Sequence, residues 1–337
     1  IYTLWPTLSL HDALPISKIL EEEGCRYFGV AIPEEAIKLR QAGIQGEILV
    51  IYPVLPDQAG YFCKYNLQAS LCTTEFAEGL SSLCRDAEKA VKCHLFINTG
   101  MNRDGVQAED AVKFMNKVSS LPGLEIIGAY THFATSASDI EFARRQLDVF
   151  KTTIKDLKSA GYEFHFLHTA NTGAVAHLPE SYLNMIRPGI GLYGGGPDEK
   201  SADILGIEPI MTLKTKITLI RDIEAGESVG YDRLFTAGKK TRIATAGIGY
   251  ADGYFKILTG KAGCIIGGKK FSLAGSVCMD EIMIDIKDEN FSLGDDVTLI
   301  GKDGEESISQ YELASLTGSI PYEITTAVSP RVERIYI

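Results

Sequence analysis

From residue 27 onward the chain repeats one unit: a short apolar run, then a stretch whose apolar residues recur three and four apart. The runs cover 27–32, 47–51, 68–73, 94–98, 125–131, 163–168 and 185–193, and their length and composition predict strands. Between them, 33–43 opens with Pro33, Glu34 and Glu35 and stops at Gly43, as a helix should. Residues 108–121 and 139–160 carry further helical patterns. Strands alternating with helices imply a parallel sheet with right-handed crossovers. A helix ending near Gly24 has no strand before it, so the pattern predicts a (β/α)8 TIM-type barrel with its first strand missing. An open doubly wound sheet would carry a G-x-G-x-x-G turn after an early strand, and none follows one here. Beyond about residue 205 the pattern changes to short strands at 211–220, 241–247, 264–266, 271–278, 282–286 and 296–300, separated by Gly and Asp turns. That predicts a C-terminal all-β domain. The expected division is a barrel over 18–205 and a β-domain over 206–337, meeting in or just after the polar run PDEKSAD.

The first seventeen residues, IYTLWPTLSLHDALPIS, fit neither pattern. They hold two prolines and no helical period, and no basic stretch leads into a continuous apolar one, so they make a poor signal peptide. They resemble a translated sequencing adapter; the alternative is an irregular natural arm. A length of 337 residues suits two domains, and 45% hydrophobic with 23% charged residues suits a large globular core. The net charge of −11, with no clustered basic face, argues against a nucleic-acid partner. No apolar stretch is long enough to span a membrane. Seven scattered cysteines (Cys25, Cys63, Cys72, Cys84, Cys93, Cys264 and Cys278) lack metal-site spacing. They read as small core residues in a reducing, cytoplasmic setting.

In a barrel, working residues sit just past the strands' C-terminal ends. Arg103 follows the strand at 94–98, and His132 follows that at 125–131. His168, Asn171 and Thr172 close the strand at 163–168, and Arg187 lies in the last. Glycine-rich turns and helix starts offer backbone N–H groups to a phosphate, which singles out Thr172–Gly173 and Gly189–Ile190. A lone Arg or His after a strand is usually structural; four at consistent strand ends are harder to dismiss.

These segments resemble the alanine racemase family. NTGMNR is similar to its D-T-G-M-x-R segment and THFATS to T-H-F-A. HTANTGA and NMIRPGIGLYG are similar to its A-N-S and M-x-R-P-G-I-x-L-Y-G segments. VGYDRLF, IGYADGY, GSVCMDEIMIDI and PYEITTAVSPRVERIY follow in family order, so the resemblance runs from Lys18 to the C-terminus. It implies a racemase that interconverts L- and D-alanine on pyridoxal 5'-phosphate (PLP), supplying D-alanine for bacterial cell wall. It also implies two bases, one for each face of the substrate carbon. One base is a lysine that also carries the cofactor. The other is a tyrosine matched here by Tyr231. An ordinary phenol titrates near pH ~10, so the site must make its anion accessible. The resemblance further implies Arg187 facing the cofactor's ring nitrogen and His132 beside it. Asn171, Thr172, Gly189, Ile190 and Tyr322 would lie at the phosphate, and Arg103 near the substrate carboxylate. Tyr250, Met279 and Asp280 would line the entrance, and in a head-to-tail homodimer these residues and Tyr231 would reach the partner's site. No metal is implied.

Two departures change the picture. Phe96 stands where the family often has a modified lysine, and Asn98 where it has aspartate, so Arg103 must be held differently. The family's V-K-A-x-A-Y-G-H-G segment, which bears the cofactor lysine, does not precede the helix of Lys18. Lys18 itself lies on the far side of that motif. The chain as written is therefore expected to lack the normal covalent attachment and to be inactive. Competing readings are a racemase of another small amino acid such as serine, a PLP-dependent decarboxylase (weakly suggested by Gly194–Gly196), and a non-catalytic PLP-binding protein.

Overall fold

A computed structural model describes residues 10–337, and residues 10–13 by backbone alone. The described chain divides into two compact units. The first runs through Leu192 and takes in Lys200–Ile207; the second comprises Tyr193–Glu199 and Glu208–Ile337.

The first unit is a nearly closed parallel barrel. Its strands are β1 (Tyr27–Val30), β2 (Glu47–Val50), β3 (Gln68–Leu71), β4 (Val91–Asn98), β5 (Val106–Gln107), β6 (Leu124–Tyr130), β7 (Phe166–Asn171) and β8 (Met185–Arg187). Pairing runs β1-β2-β3-β4-β6-β7-β8, with the two-residue β5 set against β4. The helices between the strands bury their apolar stripes on the sheet. In Thr74–Asp86, capped by the Thr73 hydroxyl, these are Phe76, Ala77, Leu80 and Cys84; in Ile140–Ser159, capped by Asp139, they are Ala143, Leu147, Phe150 and Leu157. Apolar burial of this kind supplies the main stabilisation.

Three elements of the first unit differ from the sequence expectation. The helix of Lys18 begins at Leu10 and passes through Pro15, so the last part of the supposedly irregular segment is helical; Leu14 and Ile16 pack on the barrel core, and Ser17 is buried. The strand expected at 163–168 lies at Phe166–Asn171. The last strand ends at Arg187, because Pro188 has no N–H for a ladder, and Gly189–Tyr193 turns into a 3-10 helix.

The second unit is built on an antiparallel sheet. Its strands are β9 (Leu213–Ile223), β10 (Ser228–Val229), β11 (Phe235–Thr236), β12 (Thr241–Ala246), β13 (Gly263–Ile266), β14 (Lys269–Ser272), β15 (Ile282–Asp285), β16 (Asp296–Asp303) and β17 (Glu306–Ile308). The main sheet runs β14-β13-β16-β9-β12-β15, β17 pairs with β16, and β10 and β11 form a separate hairpin. Two short helices, Gln310–Thr317 and Pro321–Thr326, close this core with Leu313, Ala314 and Ile324. They modify the all-β expectation for the domain. Four cysteines are buried and all seven are free thiols; burial pushes Cys72, Cys84 and Cys264 up to about 12. These thiols are core filling rather than nucleophiles.

Candidate active site

The deepest charge in the barrel is Arg187, 1% exposed at the end of β8. One guanidinium nitrogen donates to the carbonyl of His168 (2.9 Å) and to its Nδ1 (2.6 Å). The other donates to the carbonyls of Thr131 (2.6 Å) and Thr169 (3.3 Å) and lies 3.5 Å from Nδ1 of His132. The Tyr130 ring sits 5.2 Å from the guanidinium carbon. Five neutral acceptors and one aromatic face thus replace water around a cation that would otherwise be costly to bury. Arg187 Nε is buried and has no partner among the described residues. A buried donor left over in this way is where an acceptor belongs. Burial and the charge of Arg187 hold His168 and His132 well below the ordinary histidine range, so both imidazoles are neutral.

Arg103 is delivered by the loop after β4. Asn98 shapes that loop: its carbonyl oxygen accepts from the N–H groups of Gly100 and Asn102 (3.0 Å each), and its amide donates to Asn102 Oδ1 (2.8 Å) and Gln107 Oε1 (3.1 Å). An aspartate could not make the last two bonds. Arg103 itself pairs with Asp104 (2.9 Å) and lies over the Tyr52 ring (5.1 Å). Phe96 does not approach it as a polar partner; it stacks on Tyr130 (centroids 4.3 Å), which in turn stacks on His168 (4.7 Å).

The candidate phosphate turns are also in place. Asn171 ends β7 and caps the helix Thr172–His177, accepting from Ala174 N–H (3.1 Å) and from the Ser136 hydroxyl (2.6 Å). The Thr172 hydroxyl donates to the Pro188 carbonyl and accepts from Gly191 N–H (3.3 Å), tying this turn to the Gly189–Ile190 turn. Arg103, His132, Asn171, Thr172, Arg187, Gly189 and Ile190 therefore all lie at the C-terminal ends of the barrel strands. Sequence reasoning missed Tyr52, Tyr130 and Asp104 here. It also missed His94, whose signal was its spacing: His94, Phe96 and Asn98 alternate along one face of β4.

In the second unit, Tyr231, Tyr250, Met279 and Asp280 line a single open concavity of about 860 Å³, together with Lys256 and Cys278. Tyr231 is 72% exposed, on a turn in which Gly230, Asp232 and Arg233 all have positive φ. The 249–251 and 278–279 backbones bond directly, Tyr250 N–H to Cys278 O and Ala251 N–H to Met279 O (3.0 Å each). A Cβ on Gly249 would lie 2.3 Å from Cys278 O, so only glycine allows this approach. Arg331 bridges Asp280 (2.7 Å) and Asp252 (3.3 Å). Tyr322 is partly buried in the same unit, and burial pushes it up to about 12.

The chain thus joins a parallel barrel with polar residues at its strand ends to an antiparallel β-domain that presents exposed tyrosines. The described residues contain no cluster of metal-ligating side chains. The family model described as "Alanine racemase, N-terminal domain" matches residues 9–197, and "Alanine racemase, C-terminal domain" matches 210–336. An alanine racemase of Carboxydothermus hydrogenoformans is 38% identical over 97% of this chain and 89% of its own length; one of Halothermothrix orenii is 36% identical over 97% and 86%. The crystal structure of alanine racemase from Bacillus anthracis with bound L-Ala-P superposes with a TM-score of 0.93 at 33% identity, covering 100% of this chain and 88% of that one. The chain belongs to the alanine racemase family.

Proposed function

We propose that the site acts on alanine with pyridoxal 5'-phosphate, and that its residues divide the work as follows. The observation that carries this reading is the buried, unpartnered Nε–H of Arg187 beside two neutral histidines. Such a donor suits an uncharged ring nitrogen, which accepts one hydrogen bond and, facing a permanent cation, stays unprotonated. When bound, the cofactor supplies an electron sink for the charge that develops at the substrate's Cα. Asn171, Thr172, Gly189 and Ile190 would hold the phosphate and His132 would flank the ring. Arg103 would take the substrate carboxylate, and Tyr250, Met279 and Asp280 would restrict the entrance to small side chains. Tyr231 would move a proton at one face of Cα through its hydroxyl. The exposure of Tyr231 and Met279, 72% and 52%, supports a homodimer in which they serve the partner's site. A cytoplasmic role supplying D-alanine to peptidoglycan follows from the same reading.

The family's lysine segment is not among the 337 residues, and no lysine occurs in 96–103, 131–137, 168–173 or 185–193. The residues present fit the ring and the phosphate without the covalent attachment. The test compares the chain as given with one carrying a V-K-A-x-A-Y-G-H-G segment ahead of Lys18, both with added PLP. The extended chain should interconvert the alanine enantiomers without releasing carbon dioxide. Tyr231→Phe in it should lower turnover by about 10²–10⁴-fold, the usual worth of a positioned acid–base group. The chain as given should bind PLP reversibly. Carbon dioxide release, or faster inversion of serine than of alanine, would replace the reading.

A further inference from the structure

Behind Arg187 a line of side chains crosses the barrel interior toward the opposite ends of its strands. His168 Nε2 lies 2.9 Å from His94 Nδ1, and His94 Nε2 lies 3.0 Å from Gln68 Oε1. The Gln68 amide donates to Glu47 (2.8 Å), which also pairs with Lys92 (2.7 Å). Gln68 and Glu47 are the first residues of β3 and β2, remote from the strand ends that carry the site. His94, Gln68 and His168 are each at most 3% exposed. Gly128 on β6 stands opposite His94; a Cβ there would lie 2.3 Å from the imidazole, so glycine makes room for the ring.

Proton placement along this line is determined from both ends. An arginine only donates, so His168 Nδ1 is a lone pair and its proton is on Nε2. His94 Nδ1 must then accept, which puts the His94 proton on Nε2, facing Gln68 Oε1. The Gln68 amide nitrogen in turn faces a carboxylate, which only accepts. No link can be reversed without setting two donors or two acceptors face to face in a dry interior. Burial holds His94 down to about 3, so an added proton does not scramble the order.

We propose that Gln68 and Glu47 are positioning residues: by ending the line in an acceptor they hold His94 and His168 in the Nε2–H form, which keeps the His168 lone pair on Arg187 and frees Arg187 Nε for the ring nitrogen. This rests on the reading of Arg187 given above. The test begins on the full chain, labelled with ¹⁵N-histidine and without cofactor, using long-range ¹H–¹⁵N spectra that distinguish the two imidazole tautomers. Both rings should be Nε2–H. Gln68→Met, which removes the acceptor at similar volume, should populate Nδ1–H at His94, move the Arg187 Nε–H resonance, and weaken reversible PLP binding about threefold to tenfold, the net worth of one hydrogen bond. Glu47→Gln, at a half-buried position, should shift the same signals less and covers the case in which Gln68→Met fails to fold. Nδ1–H at either ring of the unaltered chain would overturn the proposal. So would variants that lose stability while both tautomers stay fixed. Failure of the chain carrying the lysine segment to racemise alanine would strike the functional reading and leave the tautomer result standing.

Discussion

At the scale of single residues, Arg103 shows how this chain compensates for its own departures. With Phe96 committed to the aromatic stack on Tyr130, the guanidinium is held by Asp104 and the Tyr52 ring. Asp104 is 16% exposed and Arg103 41%, so the pair is partly screened and each contact contributes about 1 kcal/mol or less. Under the proposed role of Arg103 as carboxylate anchor, Asp104→Ala or Tyr52→Leu, in the chain carrying the lysine segment, should raise KM for alanine about twofold to tenfold and change kcat much less, since such an anchor acts on ground state and transition state alike. A drop in kcat at unchanged KM would show that Arg103 acts on the chemistry instead. The residues that hold Arg103 were not legible in the sequence. Tyr52 precedes it by 51 positions, and only the parallel order of strands brings the two loops together.

At the scale of elements, the barrel was legible wherever an apolar run was bounded by glycine, proline or a capping residue, as for β1, β2 and β4. It was misread where polar residues face inward. The strand β7 ends in His168, Thr169, Ala170 and Asn171, whose polar groups are satisfied by Arg187, Ser181 and Ser136; a reading that seeks apolar residues stops short of them. The helix from Leu10 was hidden by Pro15, and the helices at Gln310–Thr317 and Pro321–Thr326 by a context of short strands. Arg103, His132, Asn171, Thr172 and Arg187 fall at strand ends in the sequence and in the structure alike, because each marks the boundary where a strand gives way to a turn. Asn171 makes one such boundary energetically visible. Its side chain caps the following helix and receives the Ser136 hydroxyl, so Asn171→Ala should cost about 1–2 kcal/mol in urea unfolding. Asn171→Asp, which keeps the acceptor, should recover most of that loss. If both variants unfold at the same urea concentration, the cap is not what holds this turn.

At the scale of the whole molecule, the histidines are divided unequally. All six precede residue 193, so the second unit contains none. Three of those in the barrel, His94, His132 and His168, are held neutral by burial first and by the charge of Arg187 second, His94 down to about 3. Their folded values lie below the value of ~6.5 that each takes in the unfolded chain. As pH falls below about 6.5, the unfolded barrel takes up protons that the folded barrel refuses. The stability from these groups is thus complete above that pH and is lost progressively toward the folded values. The loss steepens as each of the three imidazoles becomes protonated in the unfolded chain while its folded counterpart stays neutral. This loss begins well above the pH at which most carboxylates titrate, which separates it from ordinary acid unfolding. Amide exchange gives the check, because it reads the two units in the same sample: protection of β4 and β7 should collapse between pH 6.5 and 5, while that of β9 and β12 persists. Equal loss in both units would mean that the barrel and the β-domain unfold as one body. Protection of β4 that stays flat to pH 5 would mean that the buried imidazoles accept protons within the folded barrel, in conflict with the donor order that Arg187 imposes on His168 and His94.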